Sequence, residues 1–292
     1  MLDLEKADFE TFFQRAIELK ERYKKGITEK ALAGKTLGLI FEKPSTRTRV
    51  SFEAAMVQLG GTPIFISAKD TQIVRNEPVR DTARVLSRFI DALAIRTFSQ
   101  DLLNGFAEYS DIPVINALTD LYHPCQILSD LLTIIEEKGG YTGVKIAWVG
   151  DGNNVANSWI NAARVLGLNL SLACPEGYEP HVPLPEGGAV TITDDPREAV
   201  RDADVIYTDV WASMGQEVEQ KHRKKVFYPF QVNAPLVKGA KKDAIVMHCL
   251  PAHRGEEISD DVLEGPQSVV WAQAENKMHM HKAILAVLIT RL

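Results

Sequence analysis

The sequence predicts an α/β protein with two domains, each a parallel sheet flanked by helices. The chain has 292 residues, and at ~150 residues per domain this length favours two domains. Short apolar runs typical of strands alternate with segments of helical spacing, which is the pattern of parallel sheets covered by helices. The alternation starts again after Gly139-Gly140, so we place the domain boundary there.

The first domain is predicted to open with an amphipathic helix and to contain four strands. Apolar residues at helical spacing mark the opening helix, at Phe9, Phe12, Phe13, Ala16 and Ile17. Apolar runs predict strands at 36–41, 63–66, 92–95 and 113–115. Helices are predicted between the strands, at 52–59, 81–89 and 100–109. A long helix follows His123-Pro124 and ends at Gly139-Gly140.

The second domain is predicted to contain a further series of strands and helices. The strands are predicted at 144–149, 170–173, 190–193, 205–208, 244–247 and 268–271. The helix after the first of these strands carries apolar residues on one side, at Trp159, Ala162, Ala163 and Leu166. The last helix is predicted to have one apolar face, with Met280, Ile284, Val287 and Leu288. Ligands of parallel sheets bind beyond the carboxyl ends of the strands, so polar clusters after strands are the candidate sites.

The composition excludes several classes of protein. A chain that is 45% hydrophobic and 25% charged is typical of a globular fold and not of a disordered protein. The net charge of −6 argues against an extended nucleic-acid surface, although a local basic pocket stays possible. Three separated cysteines, Cys125, Cys174 and Cys249, are typical of a reducing cytosol. The longest apolar run, 283–289, is too short to span a bilayer. We therefore predict a cytoplasmic protein that binds neither nucleic acid nor membrane.

The segment Ser45-Thr46-Arg47-Thr48-Arg49 lies between a predicted strand and the following helix. The first turn of a helix offers backbone N–H groups and the positive end of the dipole, and here three hydroxyls and two guanidiniums add donors. Two arginines at a helix N-terminus are unfavourable unless an anion compensates their charge. The pattern therefore favours a phosphate site over a capped helix with solvated arginines. It is not a P-loop, because the glycines and the lysine of that motif are absent.

His123 and Gln126 begin the long helix of the first domain. His123 suits a ligand carbonyl and Gln126 suits an amide, although a histidine at a helix start is more often a structural cap. In the second domain, Gly150-Asp151-Gly152 suggests a dinucleotide site. Val155 stands where the third glycine of that motif falls, so an NAD site is disfavoured. The amides of Asn153-Asn154 suit a zwitterionic ligand instead.

Two further polar clusters follow strands of the second domain. Asp209 suits an ammonium group, and Ser213 with its neighbouring backbone suits a carboxylate. Cys249 is either a low-pKa nucleophile, a buried thiol or a weak polar contact. The spacing of His248, Cys249 and His253 matches no closed zinc motif, so no metal is predicted.

Four motifs together resemble the ornithine carbamoyltransferases: STRTR at 45–49, HPCQ at 123–126, DVWASMG at 209–215 and HCLPAHRG at 248–255. The similarity runs from the first helix to the C-terminus and includes DTARVLSRF at 81–89 and AENKMH at 274–279. STRTR alone indicates the aspartate/ornithine carbamoyltransferase superfamily. The SMG and HCLP segments point to ornithine as the acceptor.

The resemblance implies an assignment for each domain. Residues 1–138, joined by the C-terminal helix 274–292, would bind carbamoyl phosphate, and 139–273 would bind ornithine. The active site would lie in the interdomain cleft. The resemblance also implies a homotrimer or a multiple of trimers, with active sites at subunit interfaces and without cofactor or metal.

The resemblance implies contacts to both substrates. Carbamoyl phosphate would be bound by Ser45, Thr46, Arg47, Thr48, Arg49, Gln72, Arg96, His123, Gln126, Cys249, Leu250 and Lys277. Ornithine would be bound by Asn154, Asp209, Ser213 and Met214. Gln72 is similar to the family residue that reaches a neighbouring subunit's site. Lys277 stands where many members carry arginine. Lysine keeps the positive charge but lacks the bidentate fork of arginine.

The implied reaction makes citrulline and phosphate by attack of the neutral δ-amine on the carbamoyl carbon. The implied catalytic residues are Arg47, Thr48, Arg96, His123, Asp209 and Cys249. Thr48, Arg96 and His123 would stabilise the developing oxyanion, and either Cys249 or the leaving phosphate would accept the proton. Three alternatives stay open: a carbamoyltransferase for N-acetylornithine or putrescine, an inactive paralogue that binds carbamoyl phosphate, and a dehydrogenase.

Overall fold

The computed structural model describes residues 1–67, 71, 77–212 and 219–290. The chain divides into two units, each with a parallel sheet. The four-stranded unit comprises Ala7–Leu132 and Asn276–Leu292, and the five-stranded unit comprises Met1–Lys6 and Thr133–Glu275. The predicted fold class, two parallel sheets flanked by helices, is confirmed.

In the four-stranded unit, short apolar segments form the sheet and helices connect its strands. The strands are β1 (Thr36–Phe41), β2 (Thr62–Ser67), β3 (Ala92–Arg96) and β4 (Val114–Leu118). The helices are α1 (Lys6–Lys24), α2 (Thr46–Gln58), α3 (Val79–Leu86), α4 (Gln100–Tyr109) and α5 (Pro124–Lys138). The strand order is β2-β1-β3-β4. The order reverses between β1 and β3, where open α/β sheets form their binding crevice.

The apolar spacing of the sequence explains the packing of this unit. On α1 the predicted face is buried through Phe9, Phe12, Phe13 and Ala16. A second cluster joins the sheet to α3 and α4, and its members include Ile40, Ala83, Leu93, Ile95 and Phe106. In register, Phe41 lies beside both Ser67 and Arg96, and Arg96 lies beside Leu118. The segments that follow these strands therefore begin at one edge of the sheet.

The five-stranded unit repeats this construction. Its strands are β5 (Lys145–Val149), β6 (Asn169–Ala173), β7 (Val190–Thr193), β8 (Val205–Thr208) and β9 (Ile245–His248). The helices are α6 (Asn154–Leu166), α7 (Pro196–Val200), α8 (Gln220–Phe227), α9 (Ala234–Val237) and α10 (Asp260–Leu263), with a 3₁₀ turn at Tyr228–Phe230. The last helix, α11 (Val270–Thr290), begins in this unit, and its residues from Asn276 onward belong to the four-stranded unit. The order is β7-β6-β5-β8-β9, so the crevice of this sheet lies between β5 and β8.

Three large aromatic residues fill the middle of this unit. Trp148, Trp159 and Tyr207 are fully buried. The rings of Trp148 and Tyr207 stack at 5.3 Å, and Trp159 meets Tyr207 edge-on at 5.7 Å. These contacts hold α6 against β5 and β8, the two strands on either side of the crevice.

Two predictions about the end of the chain are wrong. Ser268 forms only an isolated bridge to Val246, and α11 begins at Val270, so 268–271 is not a strand. Buried Val270 and Gln273 lie one turn apart, so helical spacing prevails over the short apolar run. The last helix is also not buried on one face, because all of 279–286, including His279, His281 and Lys282, is buried.

No helix among the described residues combines the length and apolar character needed to cross a membrane.

Candidate active site

The N-terminus of α2 lies at the crevice edge of the four-stranded sheet, directly after β1. Ser45 is extended and caps the helix, and its Oγ accepts a hydrogen bond from the Thr48 N–H at 3.2 Å. Thr48 is buried, whereas Thr46 and Arg47 are exposed. The first turn carries no acidic residue, so the positive end of the helix keeps its attraction for an anion.

The two arginines of this turn have different surroundings. Arg49 Nε donates to Glu53 Oε1 at 2.9 Å, and the guanidinium lies 3.5 Å from the centre of the Phe65 ring. Arg47 forms no ion pair with any described residue. The premise that both arginines lack compensation is therefore wrong for Arg49, because Glu53 one turn later pairs with it. It holds for Arg47.

Arg96 and His123 add polar groups at the same sheet edge. Arg96 ends β3, His123 directly precedes α5, and both are buried. Burial, together with the positive charges of Lys277 and Arg96 and the neighbouring imidazole of His281, holds the pKa of His123 well below its usual value. The imidazole is therefore neutral near pH 7, which suits it to donate one hydrogen bond to a ligand oxygen.

His281 on α11 is a second buried imidazole of this unit. Its Nδ1 lies 2.9 Å from Ser51 Oγ, and its ring stacks on Phe52 with centroids 3.6 Å apart. Burial, followed by the charge of Lys277, holds the pKa of His281 well below its usual value. The sequence shows this residue only as part of a Met-His alternation, and it gave no sign of this contact.

We expect the four-stranded unit to lose stability on acidification because of His123 and His281. Their folded-state pKa values are lowered, so below about pH 6.5 the unfolded chain takes up protons that the folded chain does not, and each histidine then costs up to about 1.4 kcal/mol per pH unit. The measurement is the free energy of unfolding of the wild type and His281→Gln between pH 7.5 and 5.5. The variant should show a slope smaller by about one proton. Equal slopes would contradict this account.

Gln126 and Lys277 meet in the interior of the four-stranded unit. Lys277 Nζ donates to Gln126 Oε1 at 2.8 Å, and Gln126 Nε2 donates to Asp130 Oδ1 at 2.8 Å. Sequence reasoning missed Asp130. Its position four residues after Gln126 on a helix was the available signal.

At the crevice of the five-stranded sheet, Asp209 is the central group. Its Oδ2 accepts a hydrogen bond from Asn153 Nδ2 at 2.8 Å, and its Oδ1 accepts from Cys249 Sγ at 2.9 Å and from the Val210 N–H at 2.8 Å. Asp209 is buried. The segments after β5, β8 and β9 thus meet at one carboxylate, which is held in a single orientation.

Asn153 and Asn154 have separate tasks at the start of α6. Asn153 is the N-cap, and its Oδ1 accepts from the backbone N–H groups of Val155 and Ala156 while its Nδ2 reaches Asp209. Asn154, the predicted ornithine contact, is the first helical residue and is half-buried. Sequence reasoning named the amide of Asn153 as suited to a zwitterionic ligand, but both its oxygen and its nitrogen are engaged within the chain, a role that the sequence did not indicate.

Cys249 follows β9 and is half-buried. Because its thiol donates to Asp209, this geometry favours a polar contact over a thiolate nucleophile. The preceding His248 is fully engaged: its Nδ1 accepts from the Leu250 N–H at 2.9 Å, and its Nε2 lies 3.0 Å from Glu257 Oε1. Asp209, His248 and Cys249 are close enough to hold a metal ion, but both ring nitrogens of His248 are already used in hydrogen bonds.

The glycine turn after β5 packs against another segment of the same chain. A side chain at Gly152 would place its Cβ 2.2 Å from Pro180 N, and the Gly152 N–H donates to the Tyr178 carbonyl at 2.8 Å. Residues 178–180 therefore occupy the space beside Gly152 that a dinucleotide phosphate would need. Together with Val155, this contact argues against an NAD site.

Arg223 on α8 connects several segments of the five-stranded unit. It pairs with Asp151 at 3.1 Å, with both side chains buried, and its Nη1 donates to the Trp211 carbonyl at 2.7 Å. It also pairs with Glu219 at 3.3 Å and lies over the Tyr178 ring. Burial raises the pKa of Asp151 to about 6, although Arg223 acts in the opposite direction. The sequence gave no indication of this ion pair.

We expect Arg223→Gln to lower the free energy of unfolding by about 3–5 kcal/mol at pH 8, because it leaves the Asp151 charge buried without its cation. The loss should be smaller at pH 5, where the Asp151 carboxyl is protonated in the folded state. Urea denaturation at the two pH values measures both effects. The control is Lys225→Gln, an exposed position on the same helix. A loss that does not depend on pH would contradict the assignment.

Three predicted substrate contacts, Gln72, Ser213 and Met214, lie outside the described residues. The other candidates fall into two groups by unit. The crevice edge of the four-stranded sheet gathers the segment 45–49, Arg96 and His123. The crevice edge of the five-stranded sheet gathers Asn154, Asp209 and the segment 249–250.

Comparison with known proteins places the chain among carbamoyltransferases. Residues 1–136 match the carbamoyl-P binding domain of aspartate/ornithine carbamoyltransferase, and 142–288 match its Asp/Orn binding domain. An ornithine carbamoyltransferase from Syntrophus aciditrophicus is 58% identical over 98% of this chain and 97% of its own, and one from Desulfotalea psychrophila is 61% identical over 93% and 91%.

Solved structures agree with these sequence matches. The ornithine carbamoyltransferase from Pyrococcus furiosus is 50% identical, with a TM-score of 0.95, over 100% of this chain and 96% of its own. An anabolic ornithine carbamoyltransferase from Campylobacter jejuni is 40% identical, with a TM-score of 0.91, over 100% and 98%. With both domain models matched in order and relatives more than half identical along nearly its whole length, the chain belongs to the aspartate/ornithine carbamoyltransferase family.

Proposed function

We propose that the chain transfers the carbamoyl group of carbamoyl phosphate to the δ-amine of L-ornithine, which yields L-citrulline and phosphate. The observation that carries this proposal is the pairing of two unlike polar clusters, each at the crevice edge of its own sheet. One cluster is cationic and begins a helix, and the other is centred on the carboxylate of Asp209. They suit an acyl phosphate and an amino acid respectively, and the relatives compared above are named ornithine carbamoyltransferases.

The four-stranded unit is proposed to bind carbamoyl phosphate. Arg47 and the backbone N–H groups at the start of α2 would bind the phosphate, since an exposed guanidinium without an ionic partner among the described residues is available to a dianion. Thr48, Arg96 and neutral His123 would donate to the carbamoyl oxygen. The remaining proposed contacts are Ser45, Thr46, Arg49, Gln72, Gln126, Cys249, Leu250 and Lys277.

The five-stranded unit is proposed to bind ornithine. Asp209 is already oriented by three donors and would hold an amino group of the substrate by charge. Asn154, Ser213 and Met214 would complete the site. Asn153 acts indirectly, because it both caps α6 and fixes Asp209.

The chemistry requires the neutral δ-amine to attack the carbamoyl carbon. A C–N bond forms, the C–O bond to phosphate breaks, and the carbonyl oxygen carries negative charge in between. Preorganised donors lower the energy of that oxyanion, which is the proposed role of Thr48, Arg96 and His123. We assign the amine proton to the departing phosphate, since Cys249 holds its own proton toward Asp209.

A carbamoyltransferase for N-acetylornithine or putrescine is the alternative within the same chemistry. The test is phosphate release from carbamoyl phosphate with each of the three amines in turn. Ornithine should give the highest kcat/KM, because Asp209 lies beside amides that suit an amino acid with a free α-amine and carboxylate. If N-acetylornithine or putrescine gave the highest kcat/KM, that amine and not ornithine would be the acceptor. Binding of carbamoyl phosphate without turnover would identify an inactive paralogue.

We also propose a biosynthetic role, a homotrimeric assembly or a multiple of trimers, and a cytoplasmic location. The similarity to a relative named as anabolic supports arginine biosynthesis. Exposed Val50 and Val57 lie seven residues apart on one face of α2, and exposed Ile64 lies on the edge strand β2. Apolar side chains of this kind suit a subunit contact. Light scattering of the purified protein would test the assembly.

A further inference from the structure

We propose that Asp130 is a positioning residue for carbamoyl phosphate, which acts by fixing the orientation of the Gln126 amide and, through it, the Lys277 ammonium. The inference rests on the proposed function and extends it to a residue with no predicted role. All three side chains are buried in the four-stranded unit, with exposures of 0% for Asp130, 2% for Gln126 and 6% for Lys277.

The three groups form one row of hydrogen bonds. Lys277 Nζ donates to Gln126 Oε1 at 2.8 Å, and Gln126 Nε2 donates to Asp130 Oδ1 at 2.8 Å. An ionised carboxylate only accepts hydrogen bonds and an ammonium only donates them. The amide between them can satisfy both in one orientation only, with its nitrogen toward Asp130 and its oxygen toward Lys277. A flipped amide would set oxygen against carboxylate and nitrogen against ammonium.

The row ends beside the proposed carbamoyl phosphate contacts. Lys277 and Arg96 both lower the pKa of His123 by their charge, so the ammonium lies within electrostatic range of that imidazole. Gln126 is three residues after His123, in the first turn of α5. A carbamoyl group presents both N–H donors and a carbonyl acceptor, so an amide held in one orientation distinguishes its two ends.

Asp130 also supplies the negative charge that a buried ammonium needs. A buried charge is tolerated when it is paired or hydrogen-bonded to groups that carry the opposite charge. Gln126 transmits this compensation because its dipole is aligned between the two ions. Lysine offers a single point charge where arginine would offer a planar fork. The position of the Lys277 ammonium therefore depends on the Gln126 oxygen that accepts its hydrogen bond.

The test is Asp130→Asn in the full chain, with steady-state kinetics for both substrates. Asparagine keeps the size of the side chain but both donates and accepts, so it no longer selects one amide orientation. We expect KM for carbamoyl phosphate to rise by about tenfold or more, as for a lost hydrogen bond to a charged group. KM for ornithine should stay within about twofold. The control is Asp101→Asn, an exposed acid on α4.

A double-variant cycle separates positioning from general damage. Lys277→Gln alone should also raise KM for carbamoyl phosphate, and adding Asp130→Asn to it should change KM by less than about twofold, because the two act in one row. If Asp130→Asn alone does not fold, the comparison of Lys277→Gln with the double variant, which removes both charges, decides the question.

Multiplicative effects of the two changes, or a wild-type KM for carbamoyl phosphate in Asp130→Asn, would overturn the inference. An equal rise of KM for both substrates would overturn it too. If the wild type makes citrulline and Asp130→Asn has the wild-type KM for carbamoyl phosphate, only the role of Asp130 is refuted. A wild-type enzyme that makes no citrulline refutes the proposed function instead.

Discussion

Arg47→Ala is expected to lower kcat/KM for carbamoyl phosphate by about 10³-fold, because a guanidinium that binds the departing phosphate stabilises the negative charge that develops in the transition state. Arg47 is exposed at the start of α2 and forms no ion pair with any described residue. Removing it should therefore change the free energy of unfolding by no more than about 0.5 kcal/mol. Steady-state phosphate release and urea denaturation measure the two quantities.

The matched control is Arg88→Ala. Arg88 is also an exposed arginine of the four-stranded unit, and its contact to Asp111 at 3.5 Å is on the surface. Its loss should leave both kcat/KM and stability near the wild type. If Arg47→Ala keeps near wild-type activity, the segment 45–49 is a capped helix with solvated arginines and the anion site lies elsewhere.

The second large effect is expected for Asp209→Asn, which should lower kcat/KM for ornithine by about 10²–10³-fold, as when one partner of a buried charged contact is removed. The substitution removes the negative charge that would hold an amino group. It also places an NH₂ where Asp209 now accepts bonds from Asn153 Nδ2 and Cys249 Sγ, so one donor must face another. Kinetics with ornithine as the varied substrate measure the effect.

Carbamoyl phosphate binding should survive this change, because Asp209 belongs to the other cluster. The Kd for carbamoyl phosphate in the absence of ornithine should stay within about threefold of the wild type. Glu186→Gln, an exposed acid in a loop of the same unit, controls for the loss of one negative charge. An Asp209→Asn enzyme with normal ornithine kinetics would remove Asp209 from the site.

The strands of both sheets could be predicted because each is a short apolar run with turn signals around it. β1, β7 and β8 begin and end where the apolar runs do. The error at 268–271 has a local cause, since Ser-Val-Val-Trp reads as a strand when its neighbours are ignored. Helical spacing from Val270 onward decides the structure there.

Sequence reasoning could propose site residues only where residue type and position after a strand coincide, as for Arg47 and Asp209, and their roles stay predictions. Several contacts were missed because their partners are distant in sequence. Cys249 reaches Asp209 across 40 residues, and Arg223 reaches Asp151 across 72 (223 − 151). Spacing along a chain carries no signal for such pairs. Glu53 and Asp130, each four residues from its partner on a helix, were within reach of sequence reasoning.

In the proposed reaction, one catalytic event joins the carbamoyl group to ornithine and releases phosphate. The most direct test incubates the purified protein with ¹³C-carbamoyl phosphate and ornithine and follows both products, citrulline by ¹³C NMR and phosphate by a colorimetric assay. Equal amounts of the two products are expected, with phosphate release dependent on ornithine. Phosphate without labelled citrulline, or no product at all, would contradict it.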